Sequence, residues 1–186
     1  MIYPIYLYGS QILRTDCENI EKLDDQIKRL IDDMFETMAA ANGVGLAAPQ
    51  IGKSLNLFCV DVTGWEDEED MPLTDTVTKR VFINPEIVEL SGEPVKFKEG
   101  CLSLPGINED VEREQSVTIR FLDENFDEQT ETFSGIMARA IQHEYDHIHG
   151  KLFADYLTPL RKSLLKSKLA KMSKGIHTAK YRCKNQ

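Results

Sequence analysis

No run in this 186-residue chain approaches the ~18 consecutive apolar residues of a membrane-spanning helix, so no membrane contact is expected. The opening residues, MIYPIYLYGSQILR, lack the charged segment ahead of an apolar stretch that marks an export signal, and they are not the Arg- and Ser-rich run of a transit peptide. The expected location is the cytoplasm. Cysteine is sparse: Cys17, Cys59, Cys101 and Cys183 stand far apart with no repeated spacing, which argues against a disulfide framework and for reduced thiols. Internal repeats and low-complexity linkers are missing too, so residues 1–186 are expected to form one domain. Apolar residues at 41% and charged residues at 28% suit a soluble globular protein with a sizeable core.

Acid is lacking at the C-terminal end. All 31 Asp and Glu lie at or before Asp155; residues 156–186 carry nine Lys/Arg, which leaves residues 1–155 at a net −18. A basic tail on an acidic body is read in two ways: as a contact for a polyanion such as nucleic acid, or as a solvated helix whose cationic face sits against the body. At the other extreme, Glu66 to Asp70 are five consecutive acids, the pattern of a solvated loop or, alternatively, a lid.

Periodicity divides the rest of the chain. Ile27, Leu30, Ile31, Met34, Phe35 and Met38 recur at the spacing of one buried helix face, with Asp24 or Asp25 to cap the start and Asn42-Gly43 to end it. SLNLFCVDV, RVFINPEIVEL, QSVTIRFLD and QTETFSG read as strands, the last two joined by a turn at Asp123–Asn125. Cys59, inside the first of them, reads as a small buried hydrophobe. A helix is expected from about Ser134 to Gly150, and an amphipathic one after Pro159 with Leu160, Leu164, Leu165, Leu169 and Met172 on one side. Strands between an early helix and late helices point to an α+β fold.

Histidine is as scarce as cysteine, with four of each. Three of the four fall within QHEYDHIHG, residues 142–150. On a helix, His143 and His147 share a face and can grip one metal ion with Glu144 beside it. A shuffled chain of this composition would show HExxH about once in 130 trials, so the pattern gains weight from falling on an expected helix. A catalytic site of this kind takes three protein ligands and keeps one position open. Phe153 stands where one protease class has a third His, and no Glu follows Glu144. His149 points roughly opposite to the pair, whereas His177 and Asp155 remain available by position. Upstream, KEGCLSLPG puts Cys101 at a turn, where a thiolate would be a strong ligand. Asp146 either supports the ligands or faces solvent. A metal-dependent amide hydrolase, a zinc endopeptidase and a metal-stabilised binding module all fit these residues.

With GVGLAAPQIG, EGCLSLPG and QHEYDHIHG in this order, the chain resembles the peptide deformylases of bacteria over nearly its whole length. The resemblance implies small antiparallel or mixed sheets packed around a central helix bearing the histidines, with an N-terminal helix and a C-terminal amphipathic helix. It implies removal of the formyl group from N-terminal formyl-methionine on nascent polypeptides, with release of formate. By family pattern Cys101, His143 and His147 hold one divalent metal, commonly Fe(2+), which Zn(2+), Ni(2+) or Co(2+) can replace. Glu144 becomes the general acid/base, and Gln50 and the Leu102 N–H stabilise the oxyanion. Gly45 and Val44 hold the peptide, while Ile136, Arg139 and Ala140 line a methionine pocket. Arg139 departs from an aliphatic residue in many relatives; it narrows that wall or turns away to pair with an acid. The basic tail is expected to contact the ribosome and the enzyme to act as a monomer.

Overall fold

The computed structural model describes residues 1–65 and 71–185, so the acidic run Glu66–Asp70 lies outside the described residues. The element that organises the rest is a five-stranded antiparallel sheet of β2 (Gly45–Ala47), β3 (Leu57–Asp61), β4 (Lys79–Ser91), β7 (Ser116–Leu122) and β8 (Glu128–Ser134), in the order β2-β3-β4-β7-β8. A second hairpin pairs β5 (Val95–Gly100) with β6 (Asn108–Arg113), and β1 (Ile5–Tyr6) lies parallel to β9 (Cys183–Lys184). Among the described residues three α-helices complete the fold: α1 (Asp25–Ala40), α2 (Gly135–Ile148) and α3 (Pro159–Met172). The fold is α+β, with α2 at its centre.

The continuous apolar run LFCV in β3 arises because both faces of the strand are covered. Leu57 and Cys59, with Val81 and Ile83 of β4, face Leu30, Ile31, Met34 and Met38 of α1. Phe58, Val60 and Phe82 face the other way and join Met137, Ala138 and Ile141 of α2. Asp24 caps α1 as its position suggests, its carboxylate accepting from the Gln26 and Ile27 N–H groups at 3.0 Å. Asn42 ends that helix with φ 55°.

Pro85 sits inside β4, where a missing N–H interrupts the ladder. The strand responds with register shifts between Ile83 and Glu86 and between Ile87 and Glu89. Asn84 takes φ 49° at this point, and its side chain bonds both the Ile20 N–H and the Ile20 carbonyl at 2.8 Å. The irregular N-terminal segment is thereby tied to the sheet. That segment is more ordered than its sequence suggests, containing β1 and a 3-10 turn at Gln11–Arg14.

The C-terminal part departs from expectation in two respects. Only Leu165, Leu169 and Met172 of the apolar stripe on α3 pack inward, while Leu160 and Leu164 are 70% and 64% exposed. The helix touches the body tangentially, so one narrow face suffices. The chain then turns back at Gly175 and closes on β1, with Ile5 N–H donating to Arg182 O at 2.9 Å and Leu7 N–H to Lys184 O at 3.0 Å. The tail is therefore a helix plus a returning strand.

The Phe82 ring lies 4.7 Å from Phe58, 4.6 Å from Phe121 and 5.8 Å from Phe133, centroid to centroid, at the junction of sheet and α2. Phe82→Ala should lower the free energy of unfolding by about 3–5 kcal/mol. In urea titration this would appear as a lower midpoint at unchanged slope.

Candidate metal centre

α2 begins at Gly135, whose φ of 57° and close approach to Pro72 O leave no room for a side chain. It ends at Ile148, just before Gly150, which has φ 67° and lies against the backbone of Arg14. Between these stops almost every residue is buried, including His143, Glu144 and His147. The turn after β5 brings Cys101 across to them. Ligand atoms of Cys101, His143 and His147 all lie within 4.8 Å of one another, with Cys101 Sγ 3.3 Å from His147 Nε2. No other such group of three occurs among the described residues.

The other downstream candidates are engaged elsewhere. Asp155 pairs with Arg14 at 2.5 Å and accepts from the Leu152 N–H at 2.9 Å. His149 turns back onto the Tyr145 carbonyl at 2.8 Å, and His177 is exposed in the tail.

Two residues that sequence reasoning passed over, Glu99 and Arg113, fix the centre from behind. Glu99 accepts from His143 Nδ1 at 2.9 Å, from Arg113 at 2.6 and 3.1 Å, and from Arg139 at 3.0 Å. With Nδ1 so occupied, Nε2 is the ring nitrogen left to His143 for a metal. Arg113 continues to Asp146 at 2.8 Å, and Asp146 in turn accepts from the Tyr156 hydroxyl at 2.8 Å. Asp146 thus supports the centre instead of facing solvent. Arg139 pairs with an acid, one of the two alternatives expected of it. It lines the cavity in front of the centre, and it pairs with Glu99 while donating to the carbonyls of Val111 and Val95. Glu99 is the first residue of the EGCLSLPG motif, and Arg113 follows the inward alternation of β6; neither signal alone reveals a contact between distant segments.

Electrostatics follow from this packing. Burial opposes the Glu99 charge, but His143 and Arg113 outweigh it and hold the carboxyl well below the usual range. For His143, burial is likewise outweighed, here by hydrogen bonds to Cys101 and Glu99 that raise its pKa well above the ordinary value. His147 is driven well below it, by burial first and then by His143 and Arg113. Burial pushes the Glu144 carboxyl up to about 7. Glu144 Oε2 and His147 Nδ1 are buried with no protein partner, a costly state unless something else binds there. The donor set and the orphaned carboxylate oxygen both fit a metal ion with an attendant water.

The front of the centre is a cavity of about 620 Å³ whose lining includes Val44, Gly45, Gln50, Leu102, Ile136 and Ala140. Gln50 is held at both ends of its amide. Its carbonyl oxygen accepts from Ala47 N–H at 2.7 Å, and its amide nitrogen reaches Ser103 Oγ at 3.2 Å and Cys101 Sγ at 3.7 Å. Gly45 lies against the carboxylate: a Cβ there would fall 2.8 Å from Glu144 Cδ.

Comparison with known proteins bears on this geometry. The family model of polypeptide deformylase matches residues 2–163, leaving the returning tail outside it. The peptide deformylase of Christiangramia forsetii is 46% identical, covering 98% of this chain and 95% of that one. That of Cytophaga hutchinsonii is 46% identical over 99% and 97%. A crystal structure of a peptide deformylase from Legionella pneumophila superposes with a TM-score of 0.81 at 40% identity, covering 94% of this chain and 96% of that one. One from Synechococcus elongatus in complex with actinonin gives 0.79 at 34%, covering 90% and 86%.

Glu99→Gln should weaken metal binding by about 10–100-fold, since the partner that orients His143 loses its charge. Competition with a chromophoric chelator would measure the change; unaltered affinity would mean that Glu99 does not hold the ligand.

Proposed function

The chain belongs to the polypeptide deformylase family, and from that premise we propose that it removes the formyl group from N-terminal formyl-methionine on nascent polypeptides, releasing formate. It is a hydrolytic enzyme of that family. The observation that carries the reading is the meeting of Cys101, His143 and His147 beside an unpartnered oxygen of Glu144. One thiolate and two imidazoles suit Fe(2+), Zn(2+), Ni(2+) or Co(2+), and we assign Fe(2+) to the native enzyme on its resemblance to the family. A divalent ion held by these three residues would lower the pKa of water and polarise the formyl oxygen.

The chain's own residues supply the remaining chemistry. Glu144, with its carboxyl near pH 7, takes the proton of the attacking water and delivers it to the departing amide nitrogen. Charge that grows on the formyl oxygen as the carbon becomes tetrahedral is met by two neutral donors, the Gln50 side-chain amide and the Leu102 N–H. Neither competes for the metal. A donor of this kind contributes about 10²–10³ in rate when it is already in place, and the short bond to Ala47 N–H fixes the Gln50 amide. Gly45 and Val44 hold the peptide backbone; the glycine is required because a side chain would collide with Glu144. Ile136 and Ala140 offer an apolar wall to the methionine side chain, with the tethered Arg139 closing one side.

We place this activity in the cytoplasm, on a monomer of one domain. Among the described residues no helix is long and apolar enough to cross a membrane. A ribosome contact through α3 and the tail is supported by their exposed cations. Arg161 is ion-paired with Glu109 at 2.6 Å, so the cationic face is partly spent against the body.

The test is formate release from a short formyl-methionyl peptide by protein purified without oxygen. Wild type should release formate and lose the activity to a strong chelator, with recovery on adding a divalent metal. Glu144→Gln should bind metal normally but turn over about 10²–10⁴-fold more slowly. A metal-loaded wild type that releases no formate would overturn the reading.

A further inference from the structure

The turn that carries Cys101 and Leu102 is fixed at each of its carbonyls. Leu104 N–H donates to the Cys101 carbonyl at 3.0 Å, and Tyr8 N–H donates to that of Ser103 at 2.9 Å. The remaining carbonyl, of Leu102, accepts from the hydroxyl of Tyr181 at 2.7 Å. Tyr181 stands 79 residues away, in the segment that returns from Gly175 to β9. It is half-buried against the core cluster that includes α1, and together with Thr178, Ala179 and Lys180 it borders the cavity. Burial pushes the Tyr181 phenol above its ordinary pKa, so it is a donor throughout the neutral range.

The peptide unit that receives this bond has a second partner. Its other end, the Ser103 N–H, donates to Cys101 Sγ at 3.4 Å. One planar group therefore links Tyr181 to the thiolate, and a donor on its carbonyl polarises its N–H toward the sulfur. The same bond restrains the backbone rotation that aims the preceding N–H, that of Leu102. Among the described residues that N–H has no acceptor, while Leu102 borders the cavity and packs its side chain against Gly43.

We propose that Tyr181 is a positioning residue for deformylation: its hydroxyl, given from the C-terminal tail to the Leu102 carbonyl, orients the turn that presents the oxyanion donor and the metal-binding sulfur. This rests on the activity proposed above for the same site. The tail is then part of the active site's framework, with Tyr181 acting through the Leu102 carbonyl.

Tyr181→Phe keeps the ring and removes the hydroxyl, and two independent readouts follow. In the metal-free protein, the ¹⁵N–¹H resonances of Leu102 and Ser103 should move and exchange with solvent faster, while amides of β1, β9 and α3 keep their protection. In the metal-loaded enzyme, kcat should fall roughly three- to tenfold, as for one lost neutral hydrogen bond, with KM within about twofold. Lys174→Ala, an exposed change in the tail outside the cavity lining, should leave both readouts unchanged. Unmoved Leu102 and Ser103 amides, or an unchanged kcat, would overturn the proposal. A raised KM at constant kcat would also overturn it, making the tail a substrate wall, as would general loss of protection in β9, which would make Tyr181 an anchor only. Because the amide readout needs neither metal nor substrate, it stays decisive if formate release itself were not found.

Discussion

A single buried carboxylate, that of Glu99, holds the centre together. It is 5% exposed and surrounded by Arg113, Arg139 and His143, each 9% exposed or less. A charge taken out of water is expensive, and only several well-aligned donors offset the loss of hydration. Here both oxygens are used, with Arg113 chelating and Arg139 and His143 adding one contact each. Losing any one partner would leave uncompensated charge in the interior. The network therefore locks the β5–β6 hairpin, which supplies Glu99, Cys101 and Arg113, to α2, which supplies Arg139 and the histidines. The sulfur and the imidazoles come from these two elements, so the same ion network that joins them sets the ligands' spacing.

The rigidity behind this arrangement comes from ordinary packing. α2 is buried along nearly its whole length against the sheet, and the aromatic group around Phe82 fills the space between. Histidines four residues apart on such a helix have little freedom, which is what a site needing placement within a fraction of an ångström demands. The cost appears where it serves chemistry: Glu144 is buried with one oxygen unpaired and its carboxyl near neutrality.

Much of this was legible in the sequence, for identifiable reasons. The spacing of α1 follows from one buried face, and the gapless apolar run of β3 follows from two. Cys101, His143, Glu144 and His147 were readable because their residue types are scarce and chemically distinctive. Glu99 and Arg113 were not, since among 53 charged residues nothing local separates a buried pair from a solvated one. The closure of residues 183–184 on residues 5–6 was hidden for a related reason: a parallel pair of two-residue strands leaves almost no local pattern. Leu160 and Leu164 looked buried because spacing describes a helix face, not how much of that face the body covers.

The central claim, a metal centre of one thiolate and two imidazoles, is most directly tested by X-ray absorption at the metal edge of protein purified without oxygen. One sulfur scatterer and two imidazoles are expected, with the sulfur signal lost in Cys101→Ser. A spectrum without sulfur, or one unchanged in that variant, would contradict it.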